Sequence, residues 1–156
     1  MRVVKYMKLM LAAVSLLFFS ASPAICGETA VVEVARVIDA SAPGKAGQNY
    51  VDKLKADLEA ELERYKTRVA KDKDAGAKVA RKQAELSEQF RREYARVTEA
   101  VTAALREVIA DWLKTNKEGV TVVLPAHEAL GYAESANVSA EILRRLNGVV
   151  IDFTKQ

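Results

Sequence analysis

Residues 72–76 read Asp-Lys-Asp-Ala-Gly and interrupt an otherwise continuous helical pattern. Before them, apolar residues recur at steps of three and four from Leu54 to Val69. After them, steps of three, four and seven run from Val79 to Trp112. Such steps place side chains on one face of a helix, as in a coiled-coil seam. The interruption is therefore predicted to be the turn of a helical hairpin.

The two predicted helices carry only a narrow apolar stripe, because their remaining positions are mostly Lys, Arg, Asp and Glu. Such a stripe suits one partner helix rather than a broad globular core. We expect the first helix over about 45–73, the second over about 77–116, and the tip near 72–77. At 1.5 Å per residue the second helix would be about 60 Å long. The antiparallel hairpin of residues 45–116 is therefore predicted to protrude as an arm.

β-Branched residues cluster on both sides of this hairpin. The run from Thr29 to Asp39 contains Val31, Val32, Val34, Val37 and Ile38 and predicts a first strand, which the Ser-Ala-Pro-Gly stretch at 41–44 ends. Val120 to Leu124 predicts a second strand, which Pro125 ends. We expect these two strands to pair.

The last part of the chain predicts three short elements. Leu130 to Ala133 is interpreted as a third strand, and Val149 to Phe153 as a fourth. Between them, a short helix is predicted from Ser139 to Leu146, with Ser139 as its N-terminal cap and Asn147-Gly148 as its stop.

The predicted fold class is α+β: residues 27–44 and 117–156 form a small β body, from which the arm projects. The strands and short helix together make fewer than about 60 residues, a size at which a lone core is marginal. We therefore expect a cyclic homo-oligomer that associates through the β body and buries its strand edges. The candidate residues for this association are Val32, Val34, Val37, Val120, Val122 and Leu124.

Residues 1–24 are predicted to be a cleaved signal peptide. Arg2, Lys5 and Lys8 precede an apolar run from Leu9 to Phe19 and then a small-residue stretch. Cleavage after Ala24 is favoured over cleavage after Cys26, a lipid-modified Cys26 and an uncleaved anchor helix. The expected location is the periplasm. Removal of this segment leaves 21 basic and 21 acidic residues, so the charge balance gives no reason to expect nucleic-acid binding.

Several classes of chemistry lack the residues that they need. The sequence has one Cys and one His, which excludes an intrachain disulfide framework and a Cys-based zinc site. It contains no glycine-rich phosphate loop, no His-Glu-x-x-His and no Gly-x-Ser-x-Gly motif. We therefore predict no enzymatic activity and no cofactor.

The ordered set of elements resembles the Skp/OmpH family of periplasmic chaperones. The most family-like stretches are Ala30–Val34, Val120–Leu124, Ala129–Tyr132 and Val138–Leu143. The resemblance implies a jellyfish-shaped homotrimer whose arms enclose a cavity. It also implies an ATP-independent holdase that binds unfolded outer-membrane proteins and prevents their aggregation. Contact with lipopolysaccharide or acidic lipid is a further partner that the resemblance permits.

Three features depart from the family pattern. Pro125 stands where relatives often carry an acidic residue, and the segment from Val149 to Phe153 runs past the usual end. The mature chain is formally neutral, whereas many family members are strongly basic.

Basic residues concentrate on the distal part of the predicted arm. From Arg64 to Arg96 there are eleven basic and five acidic residues, a net charge of +6. Such a segment would steer and retain acidic clients, although an ordinary solvated helix face shows the same pattern. The candidate electrostatic contacts are Arg64, Arg68, Lys71, Lys73, Lys78, Arg81, Lys82, Arg91 and Arg92. The candidate apolar contacts are Tyr65, Val69, Val79 and Tyr94.

The same stripe is compatible with a second function class. A structural coiled-coil protein of the cell envelope that scaffolds folded partners would also need a long hairpin and a charged surface. The two hypotheses differ in partner: unfolded chains for the holdase, a stable folded protein for the scaffold.

Overall fold

The computed structural model describes residues 27–154, so the predicted signal peptide and Cys26 lie outside the described residues. This part of the chain is mostly helical, with a small parallel sheet and two long helices. The elements are β1 (Glu28–Val32), α1 (Val34–Ala40), α2 (Ala42–Val69), α3 (Ala75–Thr115), β2 (Val120–Pro125) and α4 (Ser139–Leu146). Single 3-10 turns lie at Ala126–Glu128 and Glu134–Ala136.

Strands β1 and β2 pair, as the sequence predicted, and they run parallel. The register aligns Ala30 with Val123 and Val32 with Pro125, after a bulge next to Glu28. A parallel pair needs a crossover connection, and α1, α2 and α3 supply it here. The other side of β1 is partly covered, because the backbone N–H of Val138 donates to the carbonyl oxygen of Val31 at 3.0 Å.

The predicted strand from Thr29 to Asp39 is wrong beyond residue 32, because Val34–Ala40 forms helix α1. Val34, Val37 and Ile38 are β-branched, which favours a strand in isolation. Their spacing of three and four nevertheless puts all three on one helix face, and that face packs on the core. Packing of this face therefore outweighs the local strand preference.

The Ser-Ala-Pro-Gly stretch at 41–44 starts helix α2 instead of merely ending the preceding element. The Ser41 hydroxyl accepts a hydrogen bond from the Gly44 N–H at 3.0 Å, and Pro43 occupies the first turn, where its missing N–H costs nothing. A Cβ at Gly44 would lie 1.9 Å from the carbonyl oxygen of Ile38. Only glycine therefore allows the two helices to join this closely.

Both long helices predicted from the stripe are confirmed, with ends that differ by a few residues. Helix α3 has 41 residues and is about 60 Å long at 1.5 Å per residue. Residues 70–74 connect it to α2. The two helices contact each other along much of their length: Glu61 of α2 pairs with Lys82 of α3 at 2.8 Å, and the Tyr50 hydroxyl donates to Glu93 at 3.1 Å.

The C-terminal part contains fewer strands than predicted. Residues 130–133 and 149–153 form no strand, although the predicted helix α4 is present. Ser139 is not its cap: it is the first helical residue, and its hydroxyl accepts the Glu33 N–H at 2.8 Å. The Ser139 N–H donates to the Asn137 side chain, so Asn137 satisfies the start of the helix.

Most of the buried apolar residues among those that the structure describes form two clusters. The body cluster joins β1, α1, the C-terminal half of α3, β2 and α4. Its buried members are Ala30, Val32, Val37, Ala104, Leu105, Trp112, Val120, Val138, Ile142 and Leu146. The base cluster consists of Val51, Val97, Val101 and Phe153. Ile38 and Ile151 pack against both clusters and connect them. Trp112, at the end of the predicted apolar stripe, is buried in the body cluster.

Candidate functional site

Four of the predicted electrostatic residues surround the connection between the long helices. Arg64, Lys71, Lys73 and Arg81 are exposed, and within residues 27–154 none of them forms an ion pair. Lys71 and Lys73 lie in the connection itself, while Arg64 and Arg81 lie within two helical turns of it. We call these four residues the tip cations. Their charge is available to a ligand because no neighbouring carboxylate neutralises it.

Two other predicted residues at the same end are neutralised by carboxylates. Lys78 Nζ lies 2.8 Å from a carboxylate oxygen of Asp74 and 2.9 Å from one of Asp72. Both contacts raise the pKa of Lys78, and the contact with Asp74 has the larger effect. Lys82 pairs with Glu61 across the two helices, which raises the pKa of Lys82. These lysines therefore stabilise the helix pair more directly than they attract a ligand.

The remaining predicted basic residues have intermediate surroundings. The Arg68 guanidinium lies 5.0 Å from the ring centroid of Tyr65, close enough for a cation–π contact. Arg91 and Arg92 share one acceptor, because both pair with Glu88. All three arginines are exposed. Arg68 forms no ion pair within residues 27–154 and keeps its charge, whereas Glu88 offsets part of the charge of Arg91 and Arg92.

The predicted apolar contacts differ in accessibility. Val69 is buried, and Tyr65 and Val79 are half-buried. Tyr94 is 53% exposed and lies beside Phe90, with 6.1 Å between the ring centroids. Tyr94 is therefore the most accessible of the four for contact with another polypeptide.

Tyr94 also borders a half-open groove of about 420 Å³, which lies between the start of α2 and the middle of α3. Val51, Val97 and Val101 form its apolar floor, and Lys45, Thr98 and other polar side chains form its rim. An apolar floor with a polar rim suits an apolar side chain of an extended peptide. Sequence reasoning did not find this groove, since it depends on how two distant segments face each other.

The predicted association residues fall into two groups. Val32, Val37 and Val120 are buried and Val34 is half-buried, and all four pack in the body cluster of the single chain. Val122 and Leu124 of β2 are exposed. In the described part of the chain β2 pairs only with β1, so its second edge carries unpaired backbone groups.

Three exposed apolar residues were not among the predicted site residues. Leu130 is fully exposed, with a relative accessibility of 110%, and Tyr132 and Val150 are also exposed. The sequence signal was present for the first two, because Leu-Gly-Tyr at 130–132 is apolar where a surface loop is usually polar. Interpretation of that stretch as a strand concealed it.

Neither a metal centre nor a membrane-crossing helix is found among residues 27–154. No group of three or more His, Cys, Asp or Glu side chains there could hold a metal ion, and none of the helices there is long and apolar enough to cross a bilayer. Comparisons with protein families, curated proteins and solved structures find no match to this chain.

Proposed function

We propose that this protein is an ATP-independent periplasmic holdase that binds unfolded outer-membrane proteins and prevents their aggregation. In this proposal α2 and α3 form an antiparallel hairpin that projects as an arm. Three copies associate through their β bodies, and the arms surround the client, as in the Skp/OmpH family that the sequence resembles.

The order of contacts between the long helices supports an antiparallel arm. Tyr50 pairs with Glu93, and Glu61, further along α2, pairs with Lys82, earlier in α3. Partner numbers therefore fall in one helix as they rise in the other. The five-residue connection at 70–74 is a usual length for such a turn.

Exposed apolar residues on the body support association of several copies. Val122 and Leu124 lie on the edge strand β2, and Leu130 and Tyr132 lie in the loop that follows it. Soluble monomers seldom leave several large apolar residues and an unpaired edge close together in sequence. Burial of this surface against other copies would cover both.

The tip cations carry the proposal for client binding. Four unpaired positive charges at one end of a long helix pair attract an acidic, extended chain without a shaped pocket. The attraction is screened beyond about 8 Å at physiological salt, so it retains a client loosely. Apolar contacts at Tyr94 and the groove add small increments, of about 0.8 kcal/mol per buried methylene. Release then needs no nucleotide. Lipopolysaccharide or acidic lipid would compete for the same charges.

The decisive experiment is an aggregation assay with an acidic outer-membrane β-barrel protein, diluted from urea without nucleotide and followed by light scattering. The test variant replaces Lys71, Lys73 and Arg81 by Ser. The matched control replaces Lys53, Lys55 and Arg106, which are also exposed but lie away from the tip. We expect the wild type and the control to suppress aggregation equally, and the test variant to require several-fold more protein, with a difference that shrinks as salt is added.

Two results would contradict the proposal at different points. If the wild type fails to suppress aggregation at several-fold molar excess, the holdase function is wrong. Retention of a stable folded partner in pull-downs would then favour the scaffold. If the test variant and the control behave alike while the wild type is active, the tip cations are not the binding surface.

Light scattering of the exported protein tests association separately: a monomeric mass would exclude the trimer.

A further inference from the structure

The last described segment, residues 149–154, crosses from the body to the long helices without forming regular structure. Val149 packs on the body cluster, Ile151 packs on both clusters, and Phe153 belongs to the base cluster. Between them Val150 points away, with 94% of its surface exposed. Three apolar side chains of the segment therefore attach it to the rest of the described structure.

Phe153 is the deepest of these attachments, with only 5% of its surface exposed. It packs against Val51, Val97 and Val101, and its ring centroid lies 6.1 Å from that of Tyr50. Gly47 leaves the space for it, because a Cβ there would lie 3.4 Å from the Phe153 Cζ. Both long helices therefore contribute to the site that receives this one side chain.

A hydrogen bond to an arginine reinforces the attachment. Arg96 Nη2 donates to the carbonyl oxygen of Phe153 at 2.7 Å and to Glu93 Oε2 at 2.8 Å. The Tyr50 hydroxyl donates to the same Glu93 oxygen at 3.1 Å. The guanidinium is thus held in place by α3 and α2, and the hydrogen bond from a charged donor is stronger than one between neutral groups.

We propose that residues 149–154 form a detachable strap that braces the long helix pair against the body. When the strap is docked, Phe153 contacts α3 within residues 93–101. This part of α3 precedes Ala104, the first residue of that helix that is buried in the body cluster. A segment that forms no strand or helix of its own and has little backbone protected by regular structure opens at a low local free energy. When it is released, the helix pair bends more freely relative to the body and the Phe153 site is uncovered.

This inference goes beyond the holdase proposal, because it concerns the mechanics of a single chain. In an assembly whose arms surround a cavity, the angle between helix pair and body would set the width of that cavity. The strap would then adjust the space available to a client without contacting the client.

The test measures the distance between the two parts. Spin labels are placed at Lys73 in the connection and at Ala140 in α4, both of which are exposed, in full-length protein lacking Cys26. The labelled chains are diluted with unlabelled protein, so that only distances within one chain are read. We expect a narrow distance distribution for the parent. It should broaden clearly with Phe153→Ala, stay close to the parent with Phe153→Leu and be unchanged with Val150→Ala.

A second pair of variants covers the case in which Phe153→Ala fails to fold. Arg96→Gln removes the charged donor, and Arg92→Gln makes the same change one helical turn earlier, where the side chain does not contact the strap. With Arg96→Gln, we expect hydrogen exchange of the amides at 93–101 to rise roughly tenfold, and no change with Arg92→Gln. A folded Phe153→Ala or Arg96→Gln protein with the parental distance distribution would overturn the proposal. Neither readout uses a client, so the strap and the holdase function can fail independently.

Discussion

The two halves of helix α3 are stabilised in different ways. From Val97 onward it buries Val101, Ala104, Leu105 and Trp112 against several other elements and the C-terminal segment. From Ala75 to Arg96, Leu86 is its only buried residue among those that the structure describes, and α2 is the element beside it. One continuous helix thus joins a region with a multi-element core to a region with a two-helix seam.

This difference indicates which part of the molecule is able to respond to a partner. The seam has few buried apolar side chains to lose, and Glu61, one partner of the cross-helix ion pair with Lys82, is about half exposed, which weakens that pair. A core filled from several directions resists local opening. We therefore expect the part of the helix pair near the tip cations to change conformation when a partner binds, and the part in the body cluster to keep its conformation.

The largest predicted effect comes from the same substitution in the two halves of α3. Leu105 is 3% exposed in the body cluster and Leu86 is 5% exposed in the seam, so burial is matched. We expect Leu105→Ala to cost about 4 kcal/mol and Leu86→Ala about 2 kcal/mol, because two helices can close over a cavity that several locked elements leave open. Urea denaturation at one protein concentration, followed by circular dichroism, measures both. Equal losses would remove the distinction between the halves.

The next effect compares two glycines in the long helices. A Cβ at Gly47 would lie 2.9 Å from Val97 Cγ1, whereas one at Gly76 would meet no atom within 4 Å. We expect Gly47→Leu to lower the free energy of unfolding by about 2 kcal/mol through overpacking of the base cluster. Gly76→Leu should be neutral or stabilising by up to about 1 kcal/mol, since it removes a glycine from an exposed helical position. Urea denaturation measures the free energy of unfolding of both variants. If Gly47→Leu leaves this free energy unchanged, the base cluster accommodates a larger side chain as readily as the exposed position of Gly76.

The sequence predicts the long helices well because their evidence is local. The steps from Leu54 to Val69 and from Val79 to Trp112 are typical of helices whatever surrounds them. The pairing of the two main strands was also predicted correctly. Helix α1 was missed because β-branched residues were given more weight than their spacing, although Val34, Val37 and Ile38 show the helical period.

The details of the candidate site depend on contacts that no local pattern encodes. Composition locates the basic segment, but neutralisation of Lys82 requires Glu61 to arrive opposite it from another helix. The sequence alone therefore could not distinguish the tip cations from the lysines that form ion pairs, because that distinction depends on which residues of α2 and α3 face each other. Likewise, Phe153 lies far in sequence from Val51 and Val97, and its short apolar segment was interpreted as a strand.

The smallest predicted effect is a pH dependence that separates the two ends. The Arg96 guanidinium, followed by the Tyr50 hydroxyl, holds the pKa of Glu93 below its usual value of 4.5. Lys78 similarly lowers the pKa of Asp74 beside the connection. A carboxylate with a lowered pKa in the folded state contributes stability above its unfolded pKa, and that contribution is lost as pH falls through the folded pKa.

Glu93 supports the hydrogen-bonded contact to Phe153, whereas Asp74 lies at the exposed end, where ion pairs contribute little. We therefore expect the Tm of Glu93→Gln to lie below the wild-type Tm at pH 7. The difference between the two Tm values should shrink as pH falls below 4.5, because the wild type then loses the contribution of the Glu93 carboxylate. Asp74→Asn should follow the wild-type curve throughout. Glu141, whose pKa Arg144 and Arg145 lower to about 2, is present in all three proteins and cancels from the comparison. Thermal melts from pH 3 to 7 decide the matter: if the Asp74→Asn curve departs further from the wild type than the Glu93→Gln curve, the exposed end contributes more to stability than its sparse packing implies.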